Sequence, residues 1–472
     1  MSVERLAAGC LLPSFPGHEV PDWVLRRLEG GLGGITLFAY NVGDPVQLAA
    51  LTARLREAGE VLVAIDEEGG DVTRLEADRG SSYPGNLALG AVDDVELTEE
   101  VAAAIAGELV RSGVNVNFAP VADANTNPHN PVIGVRSFGA DPELVARHVA
   151  AFVRGTQRQG VAACAKHFPG HGDTAVDSHL DLPVVAGDLQ AALLPFRAAI
   201  AAGVKAVMTG HLVVPGLDQL PATLSRRIIT GLLREELGFD GLVVTDALEM
   251  RAISGGVGVE EAGVQALAAG VDALCVGHDL HEETVAALIA AISEAARSGR
   301  LPKQRLEEAA GRVAATARWA AAGDPTGAPG REVGAEAARR ALRTHGSPSL
   351  ERDPVVVELV PQANIAAGEF VHGLADLWPG AVGIRLDGST RDAAALLPAG
   401  DRPLVIVARD ALRHEWQQAV IWELLTHRPD AVVIETGIPG GTDAAIETYG
   451  AARANLEAAR DVLSAARVQA SA

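Results

Sequence analysis

The chain has 472 residues, 48% hydrophobic and 21% charged, enough to bury a large core and too long for one ordinary compact domain. With 61 acidic against 39 basic residues its formal net charge is −22, which repels nucleic-acid phosphates and anionic membrane surfaces, so neither is expected as a partner. Met1 to Leu6 lack a basic stretch leading into a long apolar segment, and no apolar run approaches the roughly 18 residues that span a bilayer, so a cytoplasmic protein without a standard secretion signal is expected.

Short apolar runs rich in β-branched residues recur along the chain at Ala8–Leu12, Gly34–Ala39, Val61–Ile65, Val114–Ala119, Val161–Ala165, Ala206–Thr209, Leu242–Thr245 and Ala273–Val276. Each is followed by a loop rich in Gly, Pro, Asp or Asn. Between the runs, Pro45–Ala58, Leu97–Ser112, Pro142–Gln159, Asp188–Ala202, Ser225–Leu237 and Val259–Ala269 have helical periodicity, with Asp44, Thr98, Asp141 and Ser225 as cap candidates. Eight strand–helix units in about 300 residues predict a (β/α)8 TIM-type barrel. Aromatics are only 4% of the chain, so Val, Leu, Ile and Ala must fill its core, as suits parallel strands buried on both faces. Cys10, Cys164 and Cys275 lie far apart inside such runs and read as small core residues, with neither a zinc site nor a disulfide framework.

The reading in chain order places a catalytic domain with its C-terminal helices at 1–322 and a linker at 323–334, on the strength of Gly323 to Gly330. A smaller α/β sandwich domain is expected at 335–472. Its strands fall at Val355–Val360, Val382–Leu386, Leu404–Ala408 and Ala431–Thr436, and its helices at Asp410–Thr426 and Tyr449–Ala466. The Gly-rich turn after Glu435 either approaches the barrel mouth or simply turns the chain.

A barrel carries its chemistry on the loops that leave the C-terminal ends of its strands, and the polar residues collect there. The third strand ends in Asp66-Glu67-Glu68-Gly69-Gly70, the fourth runs into Asp123 and Asn125, the fifth into Lys166-His167, the sixth into His211 and the seventh into Asp246. Glu67, Glu68 and Asp123 serve equally well as helix caps. The densest segment runs from Lys166 to His179, with three histidines, two aspartates and a lysine in fourteen positions. Within it Asp177 and His179 form a carboxylate–imidazole pair suited to proton transfer near neutral pH. Without a helical His-x-x-x-His or a Glu-bearing zinc signature, His167, His171 and His179 do not read as a metal site, and no cofactor is expected.

Asp246 suits a carboxylate nucleophile at a strand end, although a lone Asp there can also cap a helix. Asp66 can accept protons from two adjacent hydroxyls, Arg74 and Arg136 offer forked donors, and Lys166 and His167 need polar partners inside a barrel mouth. His171, between two glycines, is expected to shape its loop, and Phe168-Pro169-Gly170 to set the turn.

At these residues the sequence resembles glycoside hydrolase family 3, in its β-N-acetylglucosaminidase branch. The resemblance rests on Ile65 to Gly70 with Arg74, Gly134 to Gly139, Lys166 to Gly172, Asp177-Ser178-His179, and Val244-Thr245-Asp246 with Met250, in family order over most of the first 280 residues. It implies that Asp246 is the nucleophile and His179 the acid/base assisted by Asp177. It further implies that Asp66, Arg74, Arg136, Lys166 and His167 hold a non-reducing sugar. Many relatives take the acid/base carboxylate from the second domain, whereas an Asp-Ser-His loop marks the branch that carries it on the barrel, so Glu435 is not needed. The expected activity is a retaining exo-β-N-acetylglucosaminidase acting on cell-wall-derived fragments, with a small sugar as substrate. A phosphorylase that passes the sugar to phosphate is the alternative, because an imidazole lacks the charge that would repel that ion. A β-glucosidase and a non-catalytic sugar-binding protein are further alternatives.

Overall fold

In the computed structural model the described residues of the N-terminal part form eight strands: β1 (Leu11–Pro13), β2 (Gly34–Leu37), β3 (Leu62–Ile65), β4 (Val116–Asn117), β5 (Ala162–Phe168), β6 (Ala206–Thr209), β7 (Leu242–Thr245) and β8 (Leu274–Val276). The structure describes all residues except 179–180, 278–280, 324–326, 363–367, 369–371, 391, 399 and 472, and for 254 and 466–471 only the backbone. Strands β2 to β7 lie side by side in chain order, all parallel, as a half-barrel, and β1 pairs in parallel with β8. An isolated bridge joins Val244 of β7 to Ala273, and the Thr36 hydroxyl of β2 donates to the Leu12 carbonyl of β1 at 3.2 Å.

Because successive side chains on a strand point to opposite faces, each strand divides its residues between two cores. Leu62, Ala64, Val116, Ala162, Cys164, Ala206, Met208, Leu242, Val244 and Cys275 form an inner cluster. Ile35, Val63, Ile65, Ala163, Ala165, Val207, Val243 and Leu274 face outward into a larger core shared with the helices. Each Val or Leu buried this way contributes about 1.5–3 kcal/mol relative to exposure.

The helices start where a side chain can take the unsatisfied amides of a first turn. Asp44 accepts from Val46 N and Gln47 N at 2.8 and 2.9 Å, Asp141 accepts from Glu143 N at 3.0 Å, and proline follows each at the first helical position. Two expectations are corrected. Thr98 is not a cap: the helix Val95–Arg111 starts earlier, under Asp94, and the Thr98 hydroxyl inside its first turn meets His148 Nδ1 at 2.8 Å. The run Ala8–Leu12 is not one strand, because Ser2 caps a helix at Val3–Ala8 and the strand begins only at Leu11. The apolar run spans both elements, and periodicity alone cannot divide so short a stretch.

The C-terminal part forms a second sheet from β9 (Arg343–Thr344), β10 (Val355–Leu359), β11 (Val382–Leu386), β12 (Leu404–Ala408), β13 (Val432–Glu435) and β14 (Ile446–Glu447), in the order β11-β10-β12-β13-β14-β9. Only β9 runs antiparallel to its neighbour. Val355, Val357 and Ile406 pack on the helix Glu415–His427 through Val420, Ile421 and Leu424. Val356, Val405 and Val407 pack on the helix Arg453–Ser471 through Leu456, Ala459 and Leu463, so the sheet is covered on both faces. The helix Glu332–Ala341 takes up the end of the stretch expected as a linker, buries Gly334, Ala337, Ala338 and Ala341, and packs on the helices Asn86–Val92 and Val95–Arg111 and, through Ala338 against Ala454 and Ala458, on the helix Arg453–Ser471. Among the described residues no helix is long and apolar enough to cross a membrane.

Candidate active site

At the C-terminal ends of β2 to β8 lies a cavity of about 380 Å³. Asp66, Arg74, Arg136, Lys166, His167 and Asp246 all line it, so six of the eight residues singled out in the sequence meet in one place.

Its floor is a chain of opposite charges. Lys166, 2% exposed, reaches Asp66 Oδ1 at 2.5 Å and Glu68 Oε1 at 2.7 Å. Glu68 in turn accepts from Arg136 Nε and Nη2 at 3.1 and 2.8 Å, a forked pair that fixes the guanidinium plane. Burial alone would push the Glu68 carboxyl up, but Arg136 and Lys166 outweigh it and hold the carboxyl well below the usual range. For Lys166 the same contest ends with Asp66 and Glu68 raising its value against burial, so the ammonium stays charged inside the cavity wall. Lys166 and His167 belong to β5 itself rather than to the loop after it, which places both on a rigid element.

Glu67, next to Glu68, has a different task. Its carboxylate accepts from Arg74 N and Leu75 N at 2.8 and 2.9 Å and so closes the turn that carries Arg74. Glu67 thus ties a turn and not a helix, since the helix that follows β3, Asn86–Val92, starts at Gly85 without a side-chain cap, so the helix-cap reading is wrong for Glu67 as for Glu68.

Asp123, fully buried after β4, accepts from His167 Nδ1 at 2.8 Å and from the amides of His167 and His171. The hydrogen bond fixes the His167 tautomer with its proton on Nδ1. The His171 ring bonds to Thr174 Oγ1 at 2.6 Å and to Ser178 Oγ at 3.2 Å, and burial pushes its pKa below the ordinary histidine value. His171 thus shapes its loop as expected, and it also lines the cavity.

Asp246 follows β7 directly. Its amide donates to the Thr209 carbonyl at 3.2 Å, and its Oδ1 accepts from Ala247 N at 2.8 Å. Behind it, His211 Nε2 lies 2.9 Å from the Ala247 carbonyl, an acceptor, so that nitrogen carries the proton and Nδ1 faces the Thr223 hydroxyl at 2.8 Å. The nucleophile candidate is therefore braced from β6 on two sides.

Asp177 is buried, and its carbonyl accepts from Asp181 N at 3.1 Å. Its neighbour Ser178 lines the cavity, whereas His179 lies outside the described residues. Among the described residues no group of three or more His, Cys, Asp or Glu is placed to hold a metal ion. Glu435 stays in the second sheet. It is buried and accepts from the amides of Asp410, Ala411 and Gly437 at 2.9, 3.2 and 2.6 Å, and burial pushes it up to about 7.

Sequence reasoning left out Glu249, Arg251 and Cys275, which also line the cavity, and gave Glu68 and Asp123 no settled role. The signal for Glu68 was its place two residues after Asp66. For Asp123 it was the position at a strand end. Nothing in the sequence marks Arg251.

The family model described as the glycosyl hydrolase family 3 N terminal domain matches residues 16–316. The chain is 38% identical over 315 residues to a β-hexosaminidase A of Pseudoalteromonas piscicida, with 60% of this chain aligned; it spans about half, 52%, of that relative's length. It is 40% identical over 298 residues to a β-hexosaminidase of Thiobacillus denitrificans, covering 60% of this chain and 82% of the relative. Among solved structures it is similar to a glycoside hydrolase family 3 β-N-acetylglucosaminidase from Paenibacillus sp. str. FPU-7, with a TM-score of 0.88 and 36% identity over 98% of this chain and 97% of that one.

Proposed function

The chain belongs to glycosyl hydrolase family 3, and from that premise we propose that it is a retaining exo-β-N-acetylglucosaminidase that removes a non-reducing N-acetylglucosamine, from cell-wall-derived fragments in the cytoplasm. The observation that carries the reading is the convergence of Asp246 with Asp66, Arg74, Arg136, Lys166 and His167 on one cavity. Its volume of about 380 Å³ suits a monosaccharide and lies in the ordinary range for small-molecule sites.

In this proposal Asp246 attacks the anomeric carbon while His179, held as imidazolium by Asp177, gives its proton to the departing oxygen. The products of that step are a glycosyl ester on Asp246 and the free aglycone. Neutral His179 then takes a proton from water, which displaces Asp246 and restores the original anomeric configuration. Asp66 accepts two sugar hydroxyls, Arg74 and Arg136 donate to hydroxyl or carbonyl oxygens, and Lys166 and the Nε2 atom of His167 complete the grip. Glu435, occupied by the amides of Asp410 and Ala411 after β12 and of Gly437 in its own turn, supplies no proton.

The same proposal takes the half-barrel and the β1–β8 pair as one closed (β/α)8 barrel within residues 1–322, followed by a connection at 323–334 and an α/β sandwich domain at 335–472. Replacing Asp246 with Ala should abolish turnover of an aryl N-acetylglucosaminide, and retained turnover would refute the assignment. Running the wild-type assay with and without phosphate tests the phosphorylase: sugar 1-phosphate would replace hydrolysis by phosphorolysis, and free sugar at equal rates would exclude it. An aryl glucoside turned over faster than the acetamido substrate would instead favour a β-glucosidase.

A further inference from the structure

The turn between β3 and Arg74 has two faces. Asp66, Glu68, Val72 and Arg74 line the cavity, whereas Asp71 and Glu76 are held by residues of the C-terminal sheet and its helices. The Asp71 side chain is 2% exposed; it pairs with the Arg409 guanidinium and accepts from Ala451 N at 3.2 Å. Glu76 receives Arg331 at 3.2 Å and Arg453 at 3.3 Å, and Arg453 also reaches Ser82 Oγ at 2.5 Å.

Arg409 is itself held firmly. It follows β12, its amide donates to Gln417 Oε1 at 2.9 Å, and its carbonyl accepts from Gln417 Nε2 at 2.7 Å. The other end of the contact is equally tight, because Glu68 N donates to the Val72 carbonyl at 3.0 Å and Val72 N to the Gly69 carbonyl at 3.3 Å. Asp71 sits inside that small ring. The ring closes over glycine at φ +62°, where a Cβ on Gly70 would come within 2.4 Å of Gly85 Cα. A shift of Asp71 therefore moves Glu68 and Val72 together, and with Glu68 the Lys166–Arg136 charge chain.

We propose that Arg409 is a positioning residue for sugar binding: the C-terminal sheet sets the substrate-lining turn 66–74 from behind, through Asp71, without entering the cavity. The proposal rests on the functional reading above for what the turn binds, and on the Asp71 contacts for how it is held. Without the guanidinium a buried carboxylate loses its partner, and the turn must open to hydrate it.

The test measures KM and kcat for an aryl N-acetylglucosaminide on Arg409→Gln, Arg409→Lys, Asp71→Asn and the double variant Asp71→Asn/Arg409→Gln. Arg340→Ala is the control, since it removes an ion pair to Asp94 at 2.9 Å between the same two parts of the chain that involves neither Arg409 nor a residue of the turn. Arg409→Gln should raise KM about tenfold with a smaller change in kcat, Arg409→Lys should recover most of it, and the double variant should be no worse than either single one. An unchanged KM, an equal rise in Arg340→Ala, or additive losses in the double variant would overturn the proposal. Amide hydrogen exchange of residues 66–76 separates this outcome from the choice of substrate. If the wild type turns over no N-acetylglucosaminide, the functional reading fails, yet faster exchange at 68–72 in Arg409→Gln still supports the clamp. Unchanged exchange there sinks it.

Discussion

Glu67 and Glu68 carry the same carboxyl one residue apart and are driven in opposite directions. Both are buried, which alone raises a carboxyl; Glu68 meets two cations that reverse the effect, while Glu67 meets chiefly amides and is pushed up to about 7. An acid whose folded value lies above its ordinary 4.5 binds its proton more tightly in the folded chain than in the unfolded one. That stabilisation is complete below pH about 4.5 and is lost as pH rises through about 7, an interval worth about 3 kcal/mol. Glu67→Gln keeps an acceptor for Arg74 N and Leu75 N but has nothing to ionise. Its stability relative to wild type, measured by urea unfolding, should therefore rise between pH 5 and pH 8, and a pH-independent difference would contradict the assignment. Glu68 has the opposite sign: its contribution is present above its ordinary value and is lost only as pH falls through the depressed one. Glu68 thus stays ionised, beside a charged Lys166, throughout the range in which Glu67 titrates.

At the scale of elements, the loops after β4 and β5 are locked backbone to backbone. Asn127 N donates to the Gly172 carbonyl at 3.2 Å, and a Cβ on Gly172 would come within 1.8 Å of the Ala124 carbonyl oxygen. Gly172→Ala should force the two loops apart, lowering stability by about 2 kcal/mol in thermal unfolding and kcat/KM with it. Wild-type stability in this variant would show that the loops yield independently. Seven of the N-terminal strands, β2 to β8, were legible because each lies in an apolar run that holds a β-branched residue and is bounded by turn residues; β1 (Leu11–Pro13) holds none, and its run also took in the end of the first helix. The two-residue strands β9 and β14 were not, because Arg343–Thr344 is exposed and polar and becomes a strand only by pairing with Ile446–Glu447. That residues at strand ends, such as Asp66 and Asp246, would line one cavity was legible for the same reason as the strands. Glu67, Glu68 and Asp123 were ambiguous because one carboxylate in one position either caps a turn or pairs with a cation, and the partner comes from another strand. Asp94 took the cap expected of Thr98 because helical periodicity marks the helix body better than its first residue.

At the scale of the molecule, Arg331, Arg409 and Arg453 meet Asp71, Glu76 and Glu108 across the join between the two sheets' surroundings, cations on one side and carboxylates on the other. The two parts should therefore unfold together, as one calorimetric transition at physiological salt; two resolved transitions would show the join to be weak. The chain as a whole carries a formal charge of −22, yet its cavity does not share it. Among the described residues that line it, the carboxylates Asp66, Glu68, Asp246 and Glu249 are matched by Arg74, Arg136, Lys166 and Arg251. Such a pocket is electroneutral before anything enters, so an uncharged sugar displaces no counterions and gains nothing from long-range attraction. Its kcat/KM should be nearly flat between about 0.05 and 0.5 M salt, whereas a steep slope would reveal an uncompensated field at the mouth. Selectivity among sugars is then decided at contact distance, by which hydroxyls can replace water on charges that already have each other.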